Sequence, residues 1–265
     1  MKKLLYLSLP LLFIYSCNSG NTETPDSQKG ADSTSTEIIE KNPKAVEFES
    51  LDGLIISGNM YRTEQKVRGQ ILLCHQARFS KFEYEGIAQR LNEMGFNCLA
   101  IDQRSGGPIA NQVNETNLRA KEQGLGVEYL DARQDIKAAI DYLASETEDA
   151  IILWGSSYSS TLALYEAYEN EKVKAVVSFS PGNYFADTLG SLVPLMAEFE
   201  KPMFLTSGNW EAGQVSEIIE GKELNSNQVQ FIPEAQGHHG SRALWAEQDG
   251  GEEYWTALEE WLDQF

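Results

Sequence analysis

The chain has 265 residues, of which 42% are hydrophobic and 10% aromatic, enough apolar material for one domain with a substantial buried core. Its formal net charge of −19 would repel a phosphate backbone, which argues against nucleic acid as a partner. The same charge argues against attachment to anionic lipid through a polybasic surface, so any attachment to a membrane would need an anchor of another kind.

The N-terminal segment, residues 1–17, has the features of an export signal. Lys2 and Lys3 form a short cationic start, and residues 4–16 form an uncharged apolar run that is too short to span a bilayer. The run ends in the sequence IYSC, which resembles the bacterial lipobox, whose cysteine is diacylated and becomes the mature N-terminus. The resemblance predicts an exported bacterial lipoprotein that is anchored to the membrane only through lipid on Cys17, with its domain in the periplasm or at the cell surface. The alternative is an ordinary signal peptide with an incidental cysteine.

Residues 18–43 differ sharply in composition, being rich in Asn, Ser, Thr, Gly, Glu and Asp. They show no apolar periodicity, so this segment cannot bury enough surface to order itself. We predict a flexible tether over 18–43 and a folded domain over 44–265.

Within that domain, short β-rich runs alternate with runs of helical period. Residues 45–49 and 54–60 flank Asp52-Gly53, the turn signal of a hairpin. Buried strands are predicted over 70–74, 97–101, 150–154, 173–179, 201–206 and 229–232, and helices over 84–94, 136–143, 162–168, 192–199 and 254–265. The alternation predicts a doubly wound α/β domain with a mainly parallel sheet, covered on both faces and preceded by an antiparallel hairpin.

Two cysteines, Cys74 and Cys98, lie inside this domain. They are too few for a disulfide scaffold, even in an oxidising compartment. Because both fall in apolar runs that are predicted to be neighbouring strands, we expect buried free thiols, with a bridge between the two as the alternative.

The strand predicted to end at Trp154 runs into the sequence GSSYS (155–159) and then into a helix. This pattern is a nucleophile elbow of the type G-x-S-x-G with serine in place of the last glycine. The tight turn requires small residues two places before and two places after the nucleophile. Only centring on Ser157 puts small residues, Gly155 and Ser159, at both places. Ser157 is therefore the nucleophile candidate, against the alternative that it caps the helix.

A serine hydroxyl needs a base, and the base needs a carboxylate to orient it. His238 and His239 lie in a glycine-flanked loop after the last predicted strand. Glu211 follows the strand predicted over 201–206 and is the main candidate for the acid. The alternatives for the acid are Asp187, after the preceding strand, and Glu217.

In their order and spacing, these features resemble an α/β-hydrolase of the dienelactone-hydrolase-like type from about residue 45 to the C-terminus. The sequences that carry the resemblance are HQA (75–77), DQRSGG (102–107), the elbow at Ser157, Glu211 and GHHG (237–240). One departure is Ser159, in place of the elbow glycine. Another is Ser157 itself, where true dienelactone hydrolases carry cysteine. This departure argues against dienelactones as the substrate and is consistent with ester hydrolysis.

The resemblance also implies roles for individual residues. The base follows the nucleophile and is followed by glycine, which favours His239 over His238 and gives His75 a structural role. The oxyanion hole is implied to consist of the backbone N–H groups of Tyr158 and Ala77. The loop 102–107 is implied to brace the sheet, with structural hydrogen bonds from Arg104.

Together these features predict a serine hydrolase that cleaves small carboxylic esters or thioesters through an acyl-Ser157 intermediate. Amide or peptide cleavage by the same residues is an alternative, and so is a non-catalytic surface protein that uses the fold for binding. We expect no nucleotide cofactor, since no glycine-rich phosphate loop precedes a helix, and no metal, since the adjacent histidines lack a third ligand at a recognisable spacing. The segment between the strands near 180 and 201 is too short for a separate cap, so we expect an open site.

Overall fold

The structure is a computed structural model, and it describes residues 43–265. Eight strands form one sheet in the order β1-β2-β4-β3-β5-β6-β7-β8. The strands are β1 (Lys44–Glu49), β2 (Ile55–Tyr61), β3 (Gly69–Cys74), β4 (Phe96–Ile101), β5 (Ile151–Ser156), β6 (Val173–Phe179), β7 (Met203–Thr206) and β8 (Gln228–Phe231). β2 pairs antiparallel with both β1 and β4, and all the other pairs are parallel. The predicted hairpin and mainly parallel sheet are confirmed.

The helices are α1 (Glu85–Glu93), α2 (Glu115–Glu122), α3 (Ala132–Glu146), α4 (Tyr158–Glu169), α5 (Ala186–Leu189), α6 (Leu192–Ala197), α7 (Ala212–Ile218) and α8 (Gly251–Leu262). Short 3-10 helices cover Lys81–Tyr84, Asn209–Glu211 and Ser241–Leu244. The sequence did not predict α2, α5 or α7. The buried side of α2 consists of Thr116, Asn117 and Ala120, so it carries almost no apolar periodicity that could reveal a helix.

The central strands are buried on both faces, and alternate residues contribute to two separate cores. In β3, Leu72 belongs to the core that is covered by α3 and α4, while Ile71 and Leu73 belong to the core that is covered by α1 and α8. This alternation follows from the period of two along a strand. Residues 43–265 belong to one compact unit.

The same alternation decides the state of the two cysteines. β3 and β4 are neighbours, but Cys74 faces the first core and Cys98 the second. The thiols therefore lie on opposite faces of the sheet, and both are buried and free, as predicted. Burial raises the pKa of each thiol above its ordinary value, so both stay protonated.

The loop that follows β4 is braced by a buried ion-pair cluster around Arg104. The guanidinium is 2.7 Å from a carboxylate oxygen of Asp135 in α3 and 2.6 Å from one of Asp52 in the β1–β2 turn. It also donates to Ser50 Oγ at 3.1 Å. The cluster joins three segments at one edge of the sheet, which matches the structural role expected for Arg104.

The export signal, Cys17 and nearly all of the predicted tether lie outside the described residues. Across residues 43–265, no helix combines the length and the apolar character that are needed to cross a membrane. The structure therefore leaves the lipid attachment of the chain as a prediction from its sequence.

Candidate active site

Ser157 occupies a strained turn between β5 and α4. Its φ is +58° and its ψ is −123°, a conformation that is costly for a residue with a side chain and that persists only where the surroundings hold it. Gly155 allows this turn, because a Cβ there would lie 2.4 Å from both Ser159 O and Ser160 Cα. The local sequence thus folds into the strand–elbow–helix arrangement that the spacing predicted.

Ser159, in place of the last elbow glycine, is accommodated by hydrogen bonds. Its hydroxyl accepts from Ser156 N at 2.9 Å and lies 2.8 Å from the carbonyl oxygen of Cys74, to which it can donate. The side chain is fully buried, so these partners replace the water that it loses. Serine in place of glycine therefore adds a hydrogen bond between the elbow and the end of β3.

Ser157, His239 and Glu211 form a continuous chain of hydrogen bonds. His239 Nε2 lies 2.8 Å from Ser157 Oγ, and His239 Nδ1 lies 2.5 Å from Glu211 Oε1. The three residues follow β5, β7 and β8, whose carboxyl ends meet at one edge of the parallel sheet. With the Nδ1 proton donated to the carboxylate, Nε2 is free to accept the serine proton.

The Glu211 carboxylate is held in its charged form. Burial alone would raise its pKa, but hydrogen bonds from His239 and Ser180 and the charge of His239 outweigh burial, so the pKa is lowered. Ser180 Oγ donates to Glu211 Oε2 at 2.8 Å and accepts from Gly240 N at 2.9 Å. Ser180 therefore supports both the acid and the histidine loop, a role that nothing in the sequence indicated.

The other candidates for base and acid lie apart from this chain of hydrogen bonds. His238 lines a neighbouring cavity, and the structure brings His239 against Ser157 instead. Asp187 and Glu217 are both exposed, while Glu211 is buried against the imidazole. Within residues 43–265, no group of three or more His, Cys, Asp or Glu side chains is placed to hold a metal ion.

The two N–H groups expected at the oxyanion hole leave adjacent strands at the same edge. Cys74 pairs in register with Gly155, and Ala77 and Tyr158 each lie three residues further along the chain. Tyr158 is the first residue of α4, where a backbone N–H has no acceptor within the helix. In the described part of the chain, neither N–H donates to another backbone carbonyl.

His75 binds the backbone with both ring nitrogens. Its Nδ1 lies 2.8 Å from Gln76 O, and its Nε2 accepts from Gln103 N at 3.0 Å. Burial lowers its pKa, so the ring stays neutral and joins the loops after β3 and β4. This matches the structural role expected for His75.

Exposed aromatic side chains flank the site. The ring of Trp210 stacks on the imidazole of His239 with 6.5 Å between centroids, and 61% of this tryptophan is exposed. Tyr184 is also exposed and donates to Ser180 O at 3.1 Å. Beside Trp210 and His239 lies a cavity of about 470 Å³, lined also by Arg242 and Asp249. Trp210 and Tyr184 therefore place exposed aromatic surface beside the candidate site.

No protein-family model and no curated protein matches this sequence. Solved structures do match. An esterase from Pyrococcus furiosus is 20% identical with a TM-score of 0.65, over 84% of this chain and 93% of its own. A dienelactone hydrolase from Anabaena variabilis is 19% identical with a TM-score of 0.61, and the match covers 85% of this chain and 99% of the hydrolase. An acylaminoacyl peptidase from Pyrococcus horikoshii is 15% identical with a TM-score of 0.60, and the match covers 84% of this chain and 41% of the peptidase. The chain therefore has the α/β-hydrolase fold.

Proposed function

We propose that the chain is a serine hydrolase that cleaves small carboxylic esters or thioesters through an acyl-Ser157 intermediate. The observation that carries the proposal is the chain of hydrogen bonds from Ser157 through His239 to Glu211. It supplies a nucleophile, a base and an orienting carboxylate in the order that acyl transfer requires. The esterase and dienelactone hydrolase among the structures of the same fold support this class of reaction.

In the proposed mechanism, Ser157 Oγ attacks the ester carbonyl carbon while its proton passes to His239 Nε2. The tetrahedral oxyanion accepts hydrogen bonds from the N–H groups of Ala77 and Tyr158, and Glu211 stabilises the imidazolium. As the intermediate collapses, the bond to the leaving oxygen or sulfur breaks and His239 returns the proton to it. A water molecule then gives a proton to His239 Nε2 and attacks the acyl carbon. As this second intermediate collapses, the bond to Ser157 Oγ breaks, His239 returns the proton to that oxygen, and the carboxylic acid is released.

Two alternatives use the same site. Amide or peptide cleavage needs the same residues, and a peptidase shares the fold. A binding protein with this fold would need no reactive serine. Labelling with a fluorophosphonate, together with assays on matched esters and amides, tests the proposal. Labelling with ester turnover supports it, labelling with faster amide turnover favours a peptidase, and absence of both favours a binding protein.

We predict a preference for short, soluble acyl esters. The connection from β6 to β7 covers residues 180–202 and holds only the short helices α5 and α6, two helices where the sequence predicted one. Nothing in this connection forms a separate cap, so little of a long acyl chain can be covered. In a series of p-nitrophenyl esters, kcat/KM is expected to level off beyond short acyl chains, since methylenes that remain in water add nothing, whereas each buried methylene would contribute about 0.8 kcal/mol, or about fourfold.

The same reasoning predicts no interfacial activation. Rates on a triglyceride series should show no jump when the substrate passes its solubility limit. A jump would contradict the open site, and would mean that a segment such as residues 108–126, which contains α2, acts as a lid.

We also propose that the chain is exported and anchored by lipid on Cys17, as the lipobox-like end of the signal suggests. Replacing Cys17 with serine should move the protein from the membrane fraction to the soluble fraction, or leave it unprocessed, because the acceptor of the lipid is lost. Fractionation with metabolic palmitate labelling of both forms measures this. A Cys17→Ser protein that is cleaved and still sediments with membranes would argue against the anchor.

A further inference from the structure

Glu83 is a buried carboxylate that the proposed mechanism does not use. It lies in the 3-10 helix Lys81–Tyr84, between the loop after β3 and helix α1, and only 1% of it is exposed. Its Oε2 accepts from Gln76 N at 2.7 Å, and its Oε1 accepts from Ser156 Oγ at 2.8 Å. Burying a carboxylate is costly unless its oxygens are hydrogen-bonded, and here both are.

These bonds reach the neighbours of the candidate catalytic groups. Gln76 directly precedes Ala77, and Ser156 directly precedes Ser157. Ser156 Oγ also accepts from Ser241 N at 2.8 Å, which ties in the loop that carries His239. The Glu83 carboxylate thus connects the loop after β3 that contains Ala77, the elbow at Ser157 and, through Ser156, the loop that carries His239.

We propose that Glu83 is a positioning residue, which fixes the Ala77 N–H relative to Ser157 by holding Gln76 and Ser156 on its two oxygens. The inference rests on the proposed function, because an oxyanion donor matters only if acyl transfer takes place. A carboxylate suits the position, since an ionised carboxylate accepts at both oxygens and both of its partners donate. A displacement of about 1 Å in such a donor can lower the rate on the order of 10²-fold.

Burial comes first among the influences on this carboxyl and raises its pKa to about 7, although hydrogen bonds from Gln76 and Ser156 and the charge of Arg242 act in the opposite direction. The other titratable group beside it is Tyr84, whose own pKa is raised by burial and by Glu83. A buried carboxyl is costly to keep charged. A positioning role gives a reason for its presence.

The test compares Glu83→Ala and Glu83→Gln with wild type, with Glu85→Gln as the control on an exposed neighbouring glutamate. For a short ester at pH 8, where Glu83 is ionised, kcat of Glu83→Ala should fall on the order of 10²-fold, the scale of losing one oxyanion donor, with KM within about threefold. Glu83→Gln keeps the shape and one acceptor, so its loss should be about 10-fold. Glu85→Gln should match wild type.

Inhibition by a short alkylboronic acid, whose adduct on Ser157 has a tetrahedral, negatively charged centre, separates positioning from folding. In both Glu83 variants, the inhibition constant should rise by the same factor as kcat/KM falls, while the end point of fluorophosphonate labelling stays at one per chain. Unchanged kcat, or a lower labelling end point with an unchanged inhibition constant, would overturn the inference. A wild-type chain that neither hydrolyses esters nor reacts with fluorophosphonate would overturn the proposed function instead, and this inference with it.

The pH dependence of unfolding provides a readout that is independent of activity. Between pH 4.5 and about 7, the folded chain binds a proton at Glu83 that the unfolded chain lacks. The protonated Glu83 carboxyl therefore stabilises the folded chain. Its contribution to the free energy of unfolding is complete below pH 4.5 and is lost as the pH rises through 7. The unfolding constant of wild type divided by that of Glu83→Gln, from urea titrations, should therefore rise about 10²-fold between pH 5 and pH 8. A constant ratio would contradict the buried carboxylate on which the inference depends.

Discussion

Replacing Ser157 with alanine is expected to lower ester turnover by on the order of 10⁴-fold or more and to abolish fluorophosphonate labelling. The nucleophile and its base act as a unit, so removing either one removes nearly all of their joint contribution. The fold should be retained, because the change removes one oxygen from a half-buried side chain and leaves the backbone turn unchanged. Steady-state kinetics, labelling and thermal unfolding measure the three outcomes.

Ser145→Ala is a suitable control for this experiment, since Ser145 is an exposed serine near the end of α3 whose hydroxyl donates to Tyr142 O at 2.7 Å. It should match wild type in turnover and labelling. Turnover by Ser157→Ala close to that of wild type would show that another residue is the nucleophile.

His239→Ala is expected to lower kcat by about 10³-fold or more, because Ser157 loses the group that accepts its proton. The adjacent His238→Ala is a matched control in the same loop, and its effect should be within a few-fold, since its ring takes no part in the chain of hydrogen bonds to Ser157. Both variants are compared by kcat on one soluble ester, with circular dichroism as a check on folding. If the two effects were reversed, the assignment in the loop would be wrong by one residue.

The secondary structure that could be predicted was the part encoded by apolar runs. The buried strands and the helices at 84–94, 136–143, 162–168 and 254–265 each bury a continuous or periodic apolar surface, which is visible in the sequence. α2 was missed because it buries polar side chains, and α7 because its seven residues are too few to show a period. The order of the strands in the sheet depends on contacts across the chain, which no local pattern contains.

In the candidate site, the elbow was the residue set that the sequence could define by itself. The turn at Ser157 needs Gly155, because a side chain there would clash with the backbone of the following helix. This requirement can be read from the five consecutive residues 155–159. The choice of Glu211 and His239 came from chain order and from resemblance, and neither gives a distance. Only the folded chain shows that the imidazole lies 2.8 Å from the hydroxyl and 2.5 Å from the carboxylate.

The supporting residues were decided by tertiary structure alone. Ser180 acts on Glu211 across 31 positions, and Glu83 acts on Ser156 across 73 positions. A serine after a strand and a glutamate before a helix are ordinary in sequence, because their chemistry depends on partners that only the fold brings within 3 Å. The sequence by itself therefore determined the layered α/β architecture and the reactive turn, since both follow from local patterns of apolar and small residues. Tertiary structure decided which polar groups share the buried edge of the sheet, since hydrogen bonding there depends on distances between segments that are remote in the chain.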